Sequence, residues 1–141
     1  MKKIFAFFSI LILSGMVVTA NTGDKFIESL KNCSPYSESG SLNVGGVDAQ
    51  STKQMLGWQN DKCVYKEIIN YSGTNVTTIC KFTQPQIREI VTTAEVYYSS
   101  LNNSGSSPDL SSIESIQNNP FARVMSKYLQ DSSVCLMSGM N

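Results

Sequence analysis

The chain has no histidine. That removes the commonest general base near neutral pH and every Ser-His-Asp or Cys-His arrangement for nucleophilic catalysis. Four cysteines, Cys33, Cys63, Cys80 and Cys135, include no Cys-x-x-Cys pair. A thioredoxin-type redox site therefore has no basis, and a zinc site lacks both imidazoles and closely spaced thiolates. There is no Gly-x-Gly-x-x-Gly, no phosphate loop and no Gly-x-Ser-x-Gly; Gly45-Gly46 stands alone. No metal and no cofactor is expected. Charge is scarce as well, at 16% of residues with 11 basic against 11 acidic. Such a balance offers neither a basic face to neutralise phosphates nor a polybasic segment for a membrane surface, so nucleic acid is not an expected partner.

Long apolar runs are missing everywhere except at the start. Lys2 and Lys3 precede Ile4–Leu13, which is interrupted only by Ser9, and Val18-Thr19-Ala20 supplies small residues. That order of basic, apolar and small-residue zones reads as a secretory signal peptide covering residues 1–20. The apolar core is too short for a membrane span, which needs ~20 apolar residues. Residues 21–141 are then one domain, with no membrane insertion after cleavage, and the expected location is periplasmic or secreted. Without Lys2 and Lys3 the mature chain keeps nine basic and eleven acidic side chains.

What is present points to a small stapled fold. Four cysteines in an exported chain of this size read as two disulfides. Asp24–Asn32 has helical spacing at Phe26, Ile27 and Leu30. Ser37–Ala49 reads as a loop with at most a short edge strand near Ser41–Val44. Thr52–Phe82 reads as three antiparallel strands, Thr52–Trp58, Cys63–Tyr71 and Val76–Phe82, joined by turns at Asn60-Asp61 and Gly73-Thr74. In that register Trp58 faces Cys63, Leu56 faces Tyr65, Gln54 faces Glu67, Tyr71 faces Val76 and Ile69 faces Thr78. Leu56, Trp58, Cys63, Tyr65, Ile69, Tyr71, Val76, Cys80 and Phe82 form the core face, with Met55, Ile68 and Ile79 behind it.

Cys80 would stand across from Glu67, four residues along from Cys63. Four strand residues span ~13 Å and a disulfide tolerates Cα atoms only about 7 Å apart, which disfavours Cys63–Cys80 and prefers Cys33–Cys63 with Cys80–Cys135. A capping box at Thr83 and Gln86 with Pro85 in the first turn opens a helix whose apolar stripe runs from Ile87 to Leu101. Asn102–Asp109 is a loop. Leu110, Ile113 and Ile116 suggest a helical piece, and Asn119-Pro120 starts a final helix. The last six residues read as a loose tail. The fold class is α+β: a small two-layer domain in which a three- to four-stranded antiparallel meander packs against two or three helices.

The chemistry that remains rests on carboxylates. Glu67 is the one polar residue on the apolar face, explained by an edge position or by a pair with Lys53 or Arg88. The sequence favours a non-catalytic binding or inhibitor-like module that meets a protein or envelope partner. Its candidate surfaces are the Ser34–Ala49 loop, the turn carrying Trp58, Asn60 and Asp61, the Asn102–Asp109 loop and Glu67 itself. Two alternatives predict different things. An accessory subunit of an envelope assembly predicts an exposed apolar patch. A carboxylate hydrolase predicts a buried Glu67 near a second carboxylate.

Overall fold

Two tight turns set the register of the sheet. Asn60 and Asp61 have φ of 49° and 61°, and Ser72 and Gly73 have 49° and 80°. Two successive left-handed residues give a two-residue hairpin whose twist matches its strands. The computed structural model describes residues 20–44, 46–106 and 112–139. Apart from Ala20, the segment read as a signal peptide lies outside them, as do Leu110 and the end of the Asn102–Asp109 loop.

The elements run α1 (Ala20–Asn32), β1 (Tyr36–Val44), β2 (Val47–Gln59), β3 (Lys62–Tyr71), β4 (Thr74–Phe82), α2 (Gln84–Ser104), α3 (Ile113–Asn118), α4 (Pro120–Leu129) and β5 (Cys135–Ser138). The five strands form one antiparallel sheet in the order β1-β2-β3-β4-β5. Phe26 of α1 meets Tyr65 of β3 edge-on, and Tyr128 of α4 meets Phe82 of β4 in the same way. Ile87, Ile90, Val91 and Ala94 of α2 complete the buried core. The class is α+β in two layers.

Several expectations hold at atomic level. The backbone N–H of Thr83 donates to Gln86 Oε1 at 2.8 Å. Asn119 Oδ1 accepts from the N–H groups of Phe121 and Ala122 at 2.8 and 3.3 Å, capping α4 above Pro120. Disulfides join Cys33 to Cys63 and Cys80 to Cys135.

The sheet needs correcting in five places. The described residues form five strands, not three or four. Ser37–Ala49 is not a loop but most of a hairpin. Its polar residues bond across strands, Ser39 with Thr52 at 2.9 Å, Gln50 with Ser41 at 2.9 Å and Asn43 with Asp48 at 2.6 Å, so low hydrophobicity there marks a solvent-facing surface. The β2–β3 register slips between Met55 and Gly57. Gly57 has φ 93°, and this bulge pairs Met55 with Tyr65 and Lys53 with Glu67, displacing Leu56 and Gln54 from those positions. Met55 is therefore buried and Leu56 exposed, the reverse of their expected faces, while Trp58 keeps its expected partner Cys63 but lies exposed near the end of the strand.

The second turn centres on Ser72-Gly73, so Tyr71 pairs Thr74, Ile69 pairs Val76 and Cys80 pairs Tyr65. That two-residue shift preserves the faces and leaves Cys63 and Cys80 unopposed, so the preferred disulfides survive it. Finally, the described part of the expected tail is not loose, because β5 pairs with β4 through Ser138. A Cβ on Gly139 would sit 2.1 Å from the carbonyl oxygen of Asn75, so only glycine permits this close approach.

Smaller differences concern the helices. α1 begins at Ala20 and α2 runs on to Ser104, where Gly105 closes it at φ 65°. Tyr97 and Tyr98 share the layer edge, both half-buried against the core with ring centroids 5.5 Å apart.

Candidate functional site

The strand pairing lays Glu38, Lys53, Glu67, Thr78 and Met137 side by side across all five strands. Alternation puts this row on the inner face, under the helices. Lys53 is 6% exposed and Glu67 is 0% exposed. An edge position for Glu67 is therefore overturned, since β3 is the central strand. Its cross-strand neighbour is Lys53, as one of the two expected pairings had it, while Arg88 is exposed on α2.

Both oxygens of Glu67 are engaged. Ser51 Oγ donates to Oε1 at 2.7 Å, and Tyr65 Oη donates to Oε2 at 2.9 Å. Ser51 stands one inward position from Lys53 on β2, and Tyr65 one inward position from Glu67 on β3, so the two hydroxyls flank the row. At its outer end the Tyr36 hydroxyl donates to Glu38. The Lys53 ammonium lies 5.8 Å from the centroid of the Phe26 ring on α1, a cation–π arrangement that roofs the row.

Burial decides the electrostatics. Loss of water pushes the Glu67 carboxyl up to about 7, against the pull of Lys53 and the two hydroxyls. Burial lowers Lys53, opposed by Glu67 and Glu38. Tyr65 is pushed well above its ordinary 10.0, first by burial and then by Glu67. The row thus holds a carboxyl that exchanges its proton near neutral pH, a property that catalysis and proton-linked switching both use. With no solvent-accessible surface, Glu67 meets no substrate in this conformation.

The other candidate residues stand apart from Glu67. Trp58, Asn60 and Asp61 lie at the exposed β2–β3 turn, with Trp58 opposite Cys63 and 46% exposed. The structure does not bring that turn and Glu67 into one site. Sequence reading missed Glu38, Ser51 and Tyr65 as partners and left Lys53 as one of two options. The available signal was Gly57 within a strand, a common mark of a bulge; moving the register by one residue puts Lys53 opposite Glu67.

The outer face of the sheet offers a second feature. Leu56, Ile79 and Leu136 are exposed there at 44%, 37% and 66%. Ile79 pairs with both Lys66 and Leu136, and Lys81 pairs with Val64, so two lysines interleave with the apolar side chains. Two shallow grooves lie elsewhere. One, of about 270 Å³, is lined by Ile27 and Glu28 of α1 with Glu95 and Tyr98 of α2. The other, of about 260 Å³, is lined by Thr92, Val96, Tyr97 and Pro120. Among the described residues no group of three or more Cys, Asp or Glu could hold a metal ion, and no helix is long and apolar enough to cross a membrane.

The fold and the row define a two-layer α+β domain with a sealed ionisable core and two disulfides, which suit an oxidising compartment. Compared with known protein families, curated proteins and solved structures, the chain shows no match.

Proposed function

We propose that this is an exported, non-catalytic binding module, periplasmic or secreted, whose outer sheet face docks an acidic protein surface. The carrying observation is the exposed group of Leu56, Ile79 and Leu136 around Lys66 and Lys81. Exposed aliphatic side chains gathered on one face mark an interaction site more often than scattered ones do. The lysines select for carboxylates in the partner and against other cations. Compartment supports the reading too, since the disulfides and the leading apolar segment both fit export.

The test is capture from an envelope and secreted extract by the oxidised protein and two surface variants, Leu136→Asp and Lys81→Glu. One stoichiometric acidic partner, captured by the unmodified chain and lost with both variants, supports the proposal. Capture that both variants retain would sink it. An accessory role in an envelope assembly uses the same face and differs only in the partner's identity.

A second reading draws on the buried row. Glu67 with its raised proton affinity, and Glu38 two strands away, are what a carboxylate hydrolase was expected to show. Lys53 stands between the two carboxyls in register, and Glu67 is closed to solvent. Those facts favour a structural or switching role for the row over hydrolysis.

A further inference from the structure

The two edges of the sheet are finished differently. β1 runs for nine residues, and its outer side chains are already engaged, Ser39 with Thr52, Ser41 with Gln50 and Asn43 with Asp48. Its one charged residue, Glu38, points inward in register with Lys53. An inward charge on an edge strand deters the addition of another strand. β5, at the opposite edge, is the four residues Cys135–Ser138. It has no charge and no proline, and its Leu136 is 66% exposed on the outer face.

The pairing of β5 determines which of its backbone groups are spent on the sheet. The Lys81 N–H donates to the Val134 carbonyl at 2.9 Å, one step beyond the Cys80–Cys135 pair. In an antiparallel ladder, residue pairs that exchange hydrogen bonds alternate with pairs that do not. Leu136 and Ser138 are therefore bonded to Ile79 and Thr77, whereas Cys135 and Met137 turn their N–H and C=O groups away from β4. The 4.1 Å between the Cα atoms of Cys80 and Cys135 agrees, since pairs without bonds stand ~4.5 Å apart and bonded pairs ~5.5 Å. The Cys135 N–H donates to the Asp131 carbonyl at 2.9 Å. Met137 presents both a donor and an acceptor on the side where the sheet ends.

We propose, resting on the docking face described above, that the acidic partner enters as an extended segment, adding a sixth strand along β5 and exchanging main-chain hydrogen bonds with Met137. An aliphatic side chain of that strand lies beside Leu136 and Ile79 and continues the outer patch. Lys81 stands on β4, two strand spacings or ~10 Å from the added strand, within the joint reach of a lysine and a glutamate side chain. The carboxylate that it meets belongs at the Cys135 end, because Lys81 lies beside Val134. Lys66 is one strand further away and contributes through its field alone. β5 is short, so the recognised unit is a short linear segment. Its main chain supplies affinity, and every second side chain supplies selectivity.

The test begins with a displayed library of random short peptides selected on the oxidised protein. Enriched peptides are expected to place aliphatic residues at alternate positions and to carry Asp or Glu. One of them is then remade with its backbone nitrogens methylated one at a time, which removes donors and keeps the side chains. Methylation on the edge that meets β5 is expected to weaken binding roughly tenfold or more, and methylation at the alternate positions to change it little. Met137→Pro removes the outward N–H and no bond within the sheet, and is expected to weaken binding by a similar factor. In the unmodified chain the Met137 amide is expected to exchange roughly tenfold more slowly with peptide bound. No enriched sequence, equal binding of every methylated form, or unchanged exchange at Met137 would each overturn the added strand, and none of these depends on Met137→Pro folding. The docking face is judged separately. If Leu136→Asp and Lys81→Glu abolish binding while methylation does not, the face docks through side chains alone and only the strand addition fails. If both variants bind as the unmodified chain does, the face itself is wrong.

Discussion

On the outer face of the sheet, Ser39 meets Thr52, Ser41 meets Gln50, Asn43 meets Asp48 and Asn70 meets Asn75, at 2.6 to 2.9 Å and open to water. On the inner face, Ser51 and Tyr65 meet Glu67 at 2.7 and 2.9 Å, all three side chains buried. The geometries are alike and the energetics are not. An exposed hydrogen bond replaces one already made to solvent and contributes little, whereas a buried partner left alone keeps its full desolvation cost. The outer polar pairs therefore add little to stability, and the inner face ties it to a single ionisable group.

The largest break in that contrast is Glu67→Ala. It leaves Lys53 and two hydroxyls buried around a gap, and urea unfolding should show a loss of about 3–5 kcal/mol. Next comes the staple on the same face. Replacing Cys80 and Cys135 together by Ala should cost about 2–4 kcal/mol by thermal unfolding, and slightly more than replacing Cys33 and Cys63, because its loop is longer. The two loops span 55 and 30 residues. Tyr65→Phe removes one of the two bonds to Glu67 and should cost about 1.5–3 kcal/mol. On the outer face, Thr52→Ala deletes a bond of similar length and should change stability by about 0.5 kcal/mol or less. A loss there as large as that of Tyr65→Phe would erase the contrast.

Local signals carried much of this fold. The caps at Thr83 and Asn119, the left-handed turn at Asn60-Asp61 and the stripe of α2 depend on near neighbours, and each was legible. The disulfide pairing was legible because strand alternation puts Cys63 and Cys80 on one face without opposing them. What escaped depends on distant partners. β1 reads as a loop because its outward Ser and Asn residues bond to β2 instead of packing, and β5 is short and gains its order from β4. The bulge at Gly57 hid the row, since a one-residue slip exchanged Gln54 for Lys53 opposite Glu67 and moved Leu56 out of the core. The outer patch was unreadable for the same reason, as Leu56 was assigned inward and β5 had no place in the sheet.

The pH dependence of stability follows from the same residue. A carboxyl whose proton affinity is raised on folding favours the folded state while protonated. Its contribution is therefore greatest below about pH 4.5 and is lost as pH rises to about 7. Glu89, held down by Lys127 and Tyr128, and Asp131, held down by Ser133, act in the opposite sense, but only at more acidic pH. Lys53, lowered by burial, adds stability as pH climbs toward 10.5. Stability should peak on the acid side of neutral.

The most direct measurement is the free energy of unfolding in urea at pH 5 and pH 8, for the oxidised protein and for Glu67→Gln. The unmodified chain should lose up to about 3 kcal/mol between the two, and the variant little. Equal stability at both pH values, or an equal loss in Glu67→Gln, would contradict the view that the sealed row on the inner face governs this domain.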